Sequence, residues 1–230
     1  TVNGLKITTD NAPINLYEYL IEIYKGERFD NIARAIQDLV EETLEKLVKN
    51  INIQYGIKDF YYTGGVAMNV KANQKLFDLE EVNKIIIPGA PDDQSIAIGA
   101  CLIHDSKDKD IPFNSVPNMY LGNKIENISE NEIKTLIKNN PNIGYKKADL
   151  DEIVDILLKN KIVARASGAM EFGARALGNR SIFALPNNWE NVDTINDIIK
   201  GRDFWMPFAG SVIDIDADKV IDGDWRKADP

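Results

Sequence analysis

Cysteine and histidine are almost missing from this chain: its 230 residues hold one of each, Cys101 and His104. A disulfide within the chain is thereby excluded, as is a zinc site built from Cys and His. A Ser-His-Asp triad would have to use His104, and nothing around that residue resembles a nucleophile site. Positive charge is also short, with 27 Lys and Arg against 36 Asp and Glu and a formal net charge of −9. That balance argues against nonspecific nucleic-acid binding, because a phosphate backbone wants a basic face. No apolar run reaches membrane-spanning length and no signal peptide is visible, so the expected setting is a reducing cytoplasm. A start at Thr1 without Met and a stop at Ala-Asp-Pro fit an excerpt of something longer. No internal repeat or low-complexity tract is present.

What is there reads as a soluble globular chain, 44% hydrophobic and 27% charged, long enough for one large or two ordinary domains. After a weak strand at 4–8 and a short helix at 16–24 closed by Gly26, the strongest signal is a helix over 30–55. Asp30 can cap it, Ile32, Ile36, Leu39, Val40, Leu44, Leu47, Val48 and Ile51 recur at spacings of three and four, and Gly56 stops it. A strand at 58–63, the pair Gly64-Gly65, a helix at 66–77 and a buried strand at 84–87 follow. The loop 88–93 leads to a small-residue helix at 95–103, which Gly99 and Ala100 would let pack close to a neighbour. The run 96–103 makes Cys101 a buried core thiol, and His104 behind it a helix C-terminal cap. Strand–helix alternation gives an α/β layer with its loops on one edge. Residues 105–125 break that pattern with a charge run and the prolines Pro112 and Pro117, which places a domain boundary there. The second unit opens on a capping-box spacing, Ser129 to Glu132, with a helix through Lys138. Next come a strand at 142–145, a helix capped by Asp149, and strands at 162–166 and 181–184. A helix at 191–200 and a strand at 211–215 complete it.

The stretch between the strands at 162–166 and 181–184 organises the chemistry. It holds Gly168, Gly173 and Gly178, two arginines (Arg175, Arg180), Glu171, Asn179 and Ser181. Glycines let a backbone come close to a ligand, and a guanidinium fork matches the oxygens of phosphate or carboxylate. An anion site is one reading; a turn that Arg–Glu pairs merely pin is the other. Lys200 and Arg202 add positive charge on a later loop. At Gly64-Gly65 a strand runs through a glycine turn into a helix, where backbone N–H groups can face a phosphate, although many such turns use glycine for geometry alone. Asp92 and Asp93 precede the helix at 95–103 and read first as caps, with a hard oxygen ligand for a metal as the alternative.

Three stretches occur in fixed order: TGGVAMN (63–69), DDQSIAIGA (92–100) and MEFGARALGNRS (170–181), followed by Lys200-Gly201-Arg202 and PFAGSV (207–212). Together they resemble the NodU/CmcH-type O-carbamoyltransferases, from the long helix to Val212. The resemblance implies an α/β chain in two parts. Residues 1–110 would be the second half of an actin-like ATPase (ribonuclease H-like) domain. Residues 111–230 would be a YrdC-like C-terminal domain truncated at its end. It also implies a reaction in which carbamoyl phosphate and ATP give carbamoyl adenylate, whose carbamoyl group passes to a hydroxyl of a small molecule or glycan. By position, Gly64, Gly65, Val66 and Asn69 would lie along the nucleotide, and Asp93 would ligate a divalent metal (iron, manganese or magnesium). Arg175, Arg180 and Ser181 would be catalytic, with Lys200, Arg202, Asn179 and Glu171 around carbamoyl phosphate. Neither nucleic acid nor a membrane is an implied partner, and a homodimer is the expected assembly. The chain departs from the family pattern where Ala169 and Met206 replace arginines and Ala174 a proline. The family's metal-binding histidine pair is not among these residues, so the chain is expected not to complete the reaction by itself. Two alternatives stand beside this reading: a nucleotide- or anion-binding module that has lost catalysis, and a sugar-kinase-like phosphotransferase.

Overall fold

The structure is a computed structural model and describes residues 1–9, 14–107, 118–125 and 128–228. Helices alternate with three two-stranded sheets among these residues, a mixed α/β architecture. The chain divides into two compact units, Thr1–Phe113 with Ile221–Pro230, and Asn114–Val220. The charges at 108–110 and the prolines Pro112 and Pro117 lie outside the described residues.

The first unit opens on a hairpin of β1 (Val2–Asn3) and β2 (Lys6–Ile7), followed by α1 (Leu16–Ile23), which Asn15 caps through Glu18 N–H. The long helix α2 spans Phe29–Tyr55 and stops at Gly56, whose N–H reaches the Asn52 carbonyl at 2.7 Å. Its N-cap is Arg28 rather than the expected Asp30; Asp30 lies in the first turn and pairs with the Arg28 guanidinium at 2.8 Å. The expected apolar stripe is buried only in its later part. Val48 packs with Leu76, Val82 and Ile85, and Leu44 joins them, whereas Leu39 remains 65% exposed.

Strands β3 (Asp59–Tyr61) and β4 (Lys84–Ile86) pair in parallel, Phe60 opposite Ile85, with α3 (Val70–Phe77) between them in sequence. The crossover is not the single helix expected over 66–77. A 3₁₀ turn at Gly65–Met68 comes first and ends at Asn69, whose side chain accepts the Ala72 N–H and caps α3. An asparagine competes with the backbone for its own hydrogen bonds, and here it divides one helix into two. Near the end of the chain, Ala228 bridges to Ile85 and Lys227 Nζ reaches the Phe77 carbonyl, so this segment rests on the same core.

Helix α4 spans Ser95–Lys107 and overturns two expectations. Cys101 is exposed rather than a core thiol, and Ile96 is 68% exposed. A Cβ built on Gly99 would meet no other element within 4 Å among the described residues, so the close packing expected at that glycine is not formed. Small side chains permit close packing, but only a partner element produces it.

In the second unit α5 (Glu130–Asn139) carries the complete Ser129/Glu132 capping box, and Asp149 caps α6 (Leu150–Leu158) through Glu152 N–H. Strands β5 (Val163–Ala166) and β6 (Arg180–Phe183) pair antiparallel, with Arg165 opposite Ser181 and Ala166 opposite Arg180. The helix expected over 191–200 is two elements, α7 (Trp189–Asp193) and a π-helix at Thr194–Lys200. Residues 142–145 and 211–215 are not strands. Both have a strand-like composition, but a ladder needs a second strand to supply its hydrogen bonds, and none is paired with them. Helix α8 (Ala217–Val220) closes the unit, with Ala217 buried.

Candidate functional site

The loop from Gly168 to Asn179 joins β5 to β6, and Glu171 shapes it. Its Oε1 accepts three backbone N–H groups: Leu177 at 2.9 Å, Asn179 at 2.7 Å and Arg180 at 3.1 Å. Desolvation pushes the Glu171 pKa up, but the N–H groups of Arg180, Glu171 itself, Leu177 and Asn179 hold it down to about 2. Asn179 adds a cross-brace from Nδ2 to the Ala169 carbonyl at 2.8 Å. Gly168, at φ +54°, leaves room for that amide, since a Cβ there would lie 3.0 Å from Asn179 Nδ2. Residues 118–125 strap the loop from the side. Gly122 N–H reaches Met170 O (2.9 Å), Met170 N–H reaches Asn123 O (3.1 Å), and Phe172 N–H reaches Met119 O (2.7 Å). The Tyr120 hydroxyl donates to the Leu177 carbonyl at 2.8 Å.

The arginines are held differently. Arg180 turns its guanidinium onto backbone carbonyls, Ser167 at 2.7 Å and Asn179 at 3.3 Å, and so supports the loop's entry. Arg175 is exposed and makes no hydrogen bond or ion pair among the described residues. Ser181 Oγ accepts the Gly178 N–H at 2.9 Å, which leaves its own proton free to donate.

A second loop follows the π-helix. Asn196, fully buried, donates from Nδ2 to the carbonyls of Phe204 (3.1 Å) and Met206 (3.3 Å) and accepts Arg202 Nε at 2.6 Å on Oδ1. The Arg202 guanidinium lies 4.5 Å from the Phe208 ring centroid and reaches the Pro207 carbonyl. Lys200 is exposed at the end of the π-helix. No sequence pattern singled out Asn196; the only signal was an amide beside Ile195 in a helical stretch. Arg165 was missed as well, because it sits inside a strand between two alanines.

None of Arg165, Arg175, Arg180, Lys200 and Arg202 pairs with a carboxylate among the described residues. Cations on α2 behave otherwise: Arg34 pairs with Asp38, Lys46 with Glu42 and Lys49 with Glu45. In a chain with excess negative charge, cations without acidic partners leave donors available for an anion.

The remaining candidates lie in the first unit. Gly64 N–H and the Thr63 hydroxyl both bind the Pro91 carbonyl, at 2.7 and 3.0 Å, which joins the glycine turn to the loop that carries Asp93. No atom lies within 4 Å of a Cβ built on Gly64 or Gly65, so this backbone is open to a ligand, and Val66 is half-exposed at the start of the 3₁₀ turn. Asn69 is occupied structurally, since besides capping α3 it exchanges hydrogen bonds with the Gln37 amide on α2, at 2.9 and 3.2 Å. Asp92 accepts the Gln94 N–H on its carboxylate at 3.3 Å, while Asp93 is exposed and its carboxylate makes no hydrogen bond among the described residues. No group of three His, Cys, Asp or Glu side chains is placed to hold a metal among the described residues.

Residues 6–102 match the family model described as carbamoyltransferase N-terminus, and residues 154–229 match carbamoyltransferase C-terminus. The chain belongs to the carbamoyltransferase family. An uncharacterized protein of Methanocaldococcus jannaschii is 36% identical over 188 residues, covering 79% of this chain and 35% of that protein. Nodulation protein NolO of Bradyrhizobium diazoefficiens is 30% identical over 205 residues, 86% of this chain and 37% of the relative. Nodulation protein NolNO of Sinorhizobium fredii is 29% identical over 226 residues, 95% of this chain and 33% of the relative. The chain thus spans about a third of the length of the curated relatives it matches. No helix among its described residues is long and apolar enough to cross a membrane.

Proposed function

We propose that the protein containing this chain transfers a carbamoyl group from carbamoyl phosphate to a hydroxyl of a small molecule or glycan, with ATP, through carbamoyl adenylate. The observation that carries this reading is that, in a carbamoyltransferase family member, the cations on and beside this loop have no acidic partners among the described residues. Carbamoyl phosphate is a small dianion. Fixed donors around it would orient the group and stabilise charge moving onto the departing phosphate. Arg175 and the Ser181 hydroxyl are the donors free for it, with Lys200 and Arg202 beside the second loop. Glu171, Asn179 and Arg180 act by holding the loop in shape.

The open backbone at Gly64 and Gly65 fits a nucleotide phosphate, and ATP would supply the adenylyl group that activates the carbamoyl donor. On this reading residues 1–110 are part of an actin-like ATPase domain and residues 111–230 a YrdC-like domain. A divalent metal finds one exposed carboxylate here, Asp93, and one ligand is too few to fit such an ion, so no step is derived through it. A second reading, a module that binds the anion without turning it over, is favoured by Ala169 and Met206, where the family pattern that the sequence resembles has arginine.

The test incubates the full-length protein with carbamoyl phosphate and ATP. Release of phosphate and pyrophosphate that depends on carbamoyl phosphate is the expected result, with AMP following as the carbamoyl group leaves the adenylate. Saturable binding with no release would favour the second reading, and absence of binding would overturn both.

A further inference from the structure

Arg165 lies outside every motif that marks the site, yet its placement ties it to the loop. It sits in β5 directly opposite Ser181 in β6, and cross-strand partners project from the same face of a sheet. Its Nη1 lies 3.9 Å from where a Cβ on Gly178 would stand, and Gly178 is the residue whose N–H binds Ser181 Oγ. Arg165 is exposed, and it makes no hydrogen bond or ion pair among the described residues. A guanidinium and a hydroxyl with its proton to give therefore stand on one sheet face beside one glycine.

We infer that Arg165 is a further substrate-binding residue, which grips a phosphate oxygen of the donor together with the Ser181 hydroxyl. Gly178, at φ +105°, serves this pairing because it adds no side chain between the two groups. The guanidinium supplies two parallel donors and the hydroxyl a third, a set that suits a tetrahedral phosphate better than a planar carboxylate. The inference rests on the reading of this loop as the carbamoyl phosphate site, and it deepens that reading by naming a group that contacts the phosphate.

The test measures equilibrium binding of carbamoyl phosphate and of inorganic phosphate to the full-length protein, to Arg165→Ala and to Arg165→Lys. Loss of one charge-assisted contact at an exposed position should weaken binding about tenfold in Arg165→Ala. Arg165→Lys should recover part of the loss, and thermal stability should not move because the side chain holds nothing else. In turnover, KM for carbamoyl phosphate should rise more than kcat falls. Wild-type binding of both anions with no change in Arg165→Ala overturns the inference and leaves the proposed function standing. Binding of phosphate but not carbamoyl phosphate overturns the proposed function, while Arg165 is then judged on phosphate alone. If the wild type binds neither anion, both fall.

Discussion

Glu171 lies in the Gly168–Asn179 loop and Arg180 opens β6 at its end, and although they carry opposite charges their side chains do not form an ion pair. Glu171 Oε1 takes the backbone N–H of Arg180 at 3.1 Å, while the Arg180 guanidinium donates to the Ser167 carbonyl at 2.7 Å. The loop is therefore pinned by a carboxylate on backbone amides and by a guanidinium on backbone carbonyls. An Arg–Glu pair would have cancelled the positive charge; this arrangement retains it.

That arrangement makes Glu171 the acid-sensitive point of the loop. Its folded pKa, about 2, lies below the ordinary value of 4.5, so its contribution is full above pH 4.5 and is lost as pH falls through 2. Hydrogen exchange at Leu177, Asn179 and Arg180 should show unchanged protection from pH 7 to pH 5 after correction for intrinsic rates. In Glu171→Gln the same amides should exchange faster at pH 7. Equal protection in the variant would remove the carboxylate from its role.

The two motif arginines should separate in a stability assay. Arg180→Ala deletes a charged group on backbone carbonyls and should lower unfolding free energy by about 1–3 kcal/mol. Arg175 has no partner among the described residues, so Arg175→Ala should change stability by less than about 0.5 kcal/mol while weakening carbamoyl phosphate binding. Denaturant titrations beside anion-binding curves give both numbers. A stability loss at Arg175 equal to that at Arg180 would contradict the geometry.

Asn196 should matter more to the second loop than the charged residues on it. Asn196→Ala leaves the carbonyls of Phe204 and Met206 and the Arg202 Nε without their partner, at a cost of about 1–3 kcal/mol. Fluorescence of the neighbouring Trp205 is a convenient reporter, and a red shift together with a lower denaturation midpoint is expected.

In the first unit, Leu76 is among the largest fully buried side chains and lies at the centre of the cluster with Val48, Val82 and Ile85. Leu76→Ala should destabilise by about 2–5 kcal/mol, read as a fall in thermal midpoint. Leu39→Ala, on the exposed part of α2, should have little effect.

Features written between near neighbours in the chain were legible. The Ser129–Glu132 box, the Asp149 cap and the Gly56 stop all depend on residues within four positions of one another. The Gly168–Asn179 loop stood out as a candidate site because its glycines and arginines are unusual together. Its supports were not: the 118–125 strap acts through backbone hydrogen bonds, which leave no mark on side-chain identity. Arg165 and Asn196 stayed hidden for a related reason, since each acquires meaning from a residue or carbonyl brought near only by folding. Cys101 failed in the opposite sense, as an apolar run promised burial that only a neighbouring element could provide.

The π-helix at Thr194–Lys200 has one consequence for how this region can vary. Such a turn holds one residue more than an α-helix of the same rise. Removing one residue between Asn196 and Arg202 would cut their separation from six positions to five and change the turn that presents Arg202. Arg202 would then swing off the Asn196 amide, so chain length here constrains the loop as firmly as residue identity does.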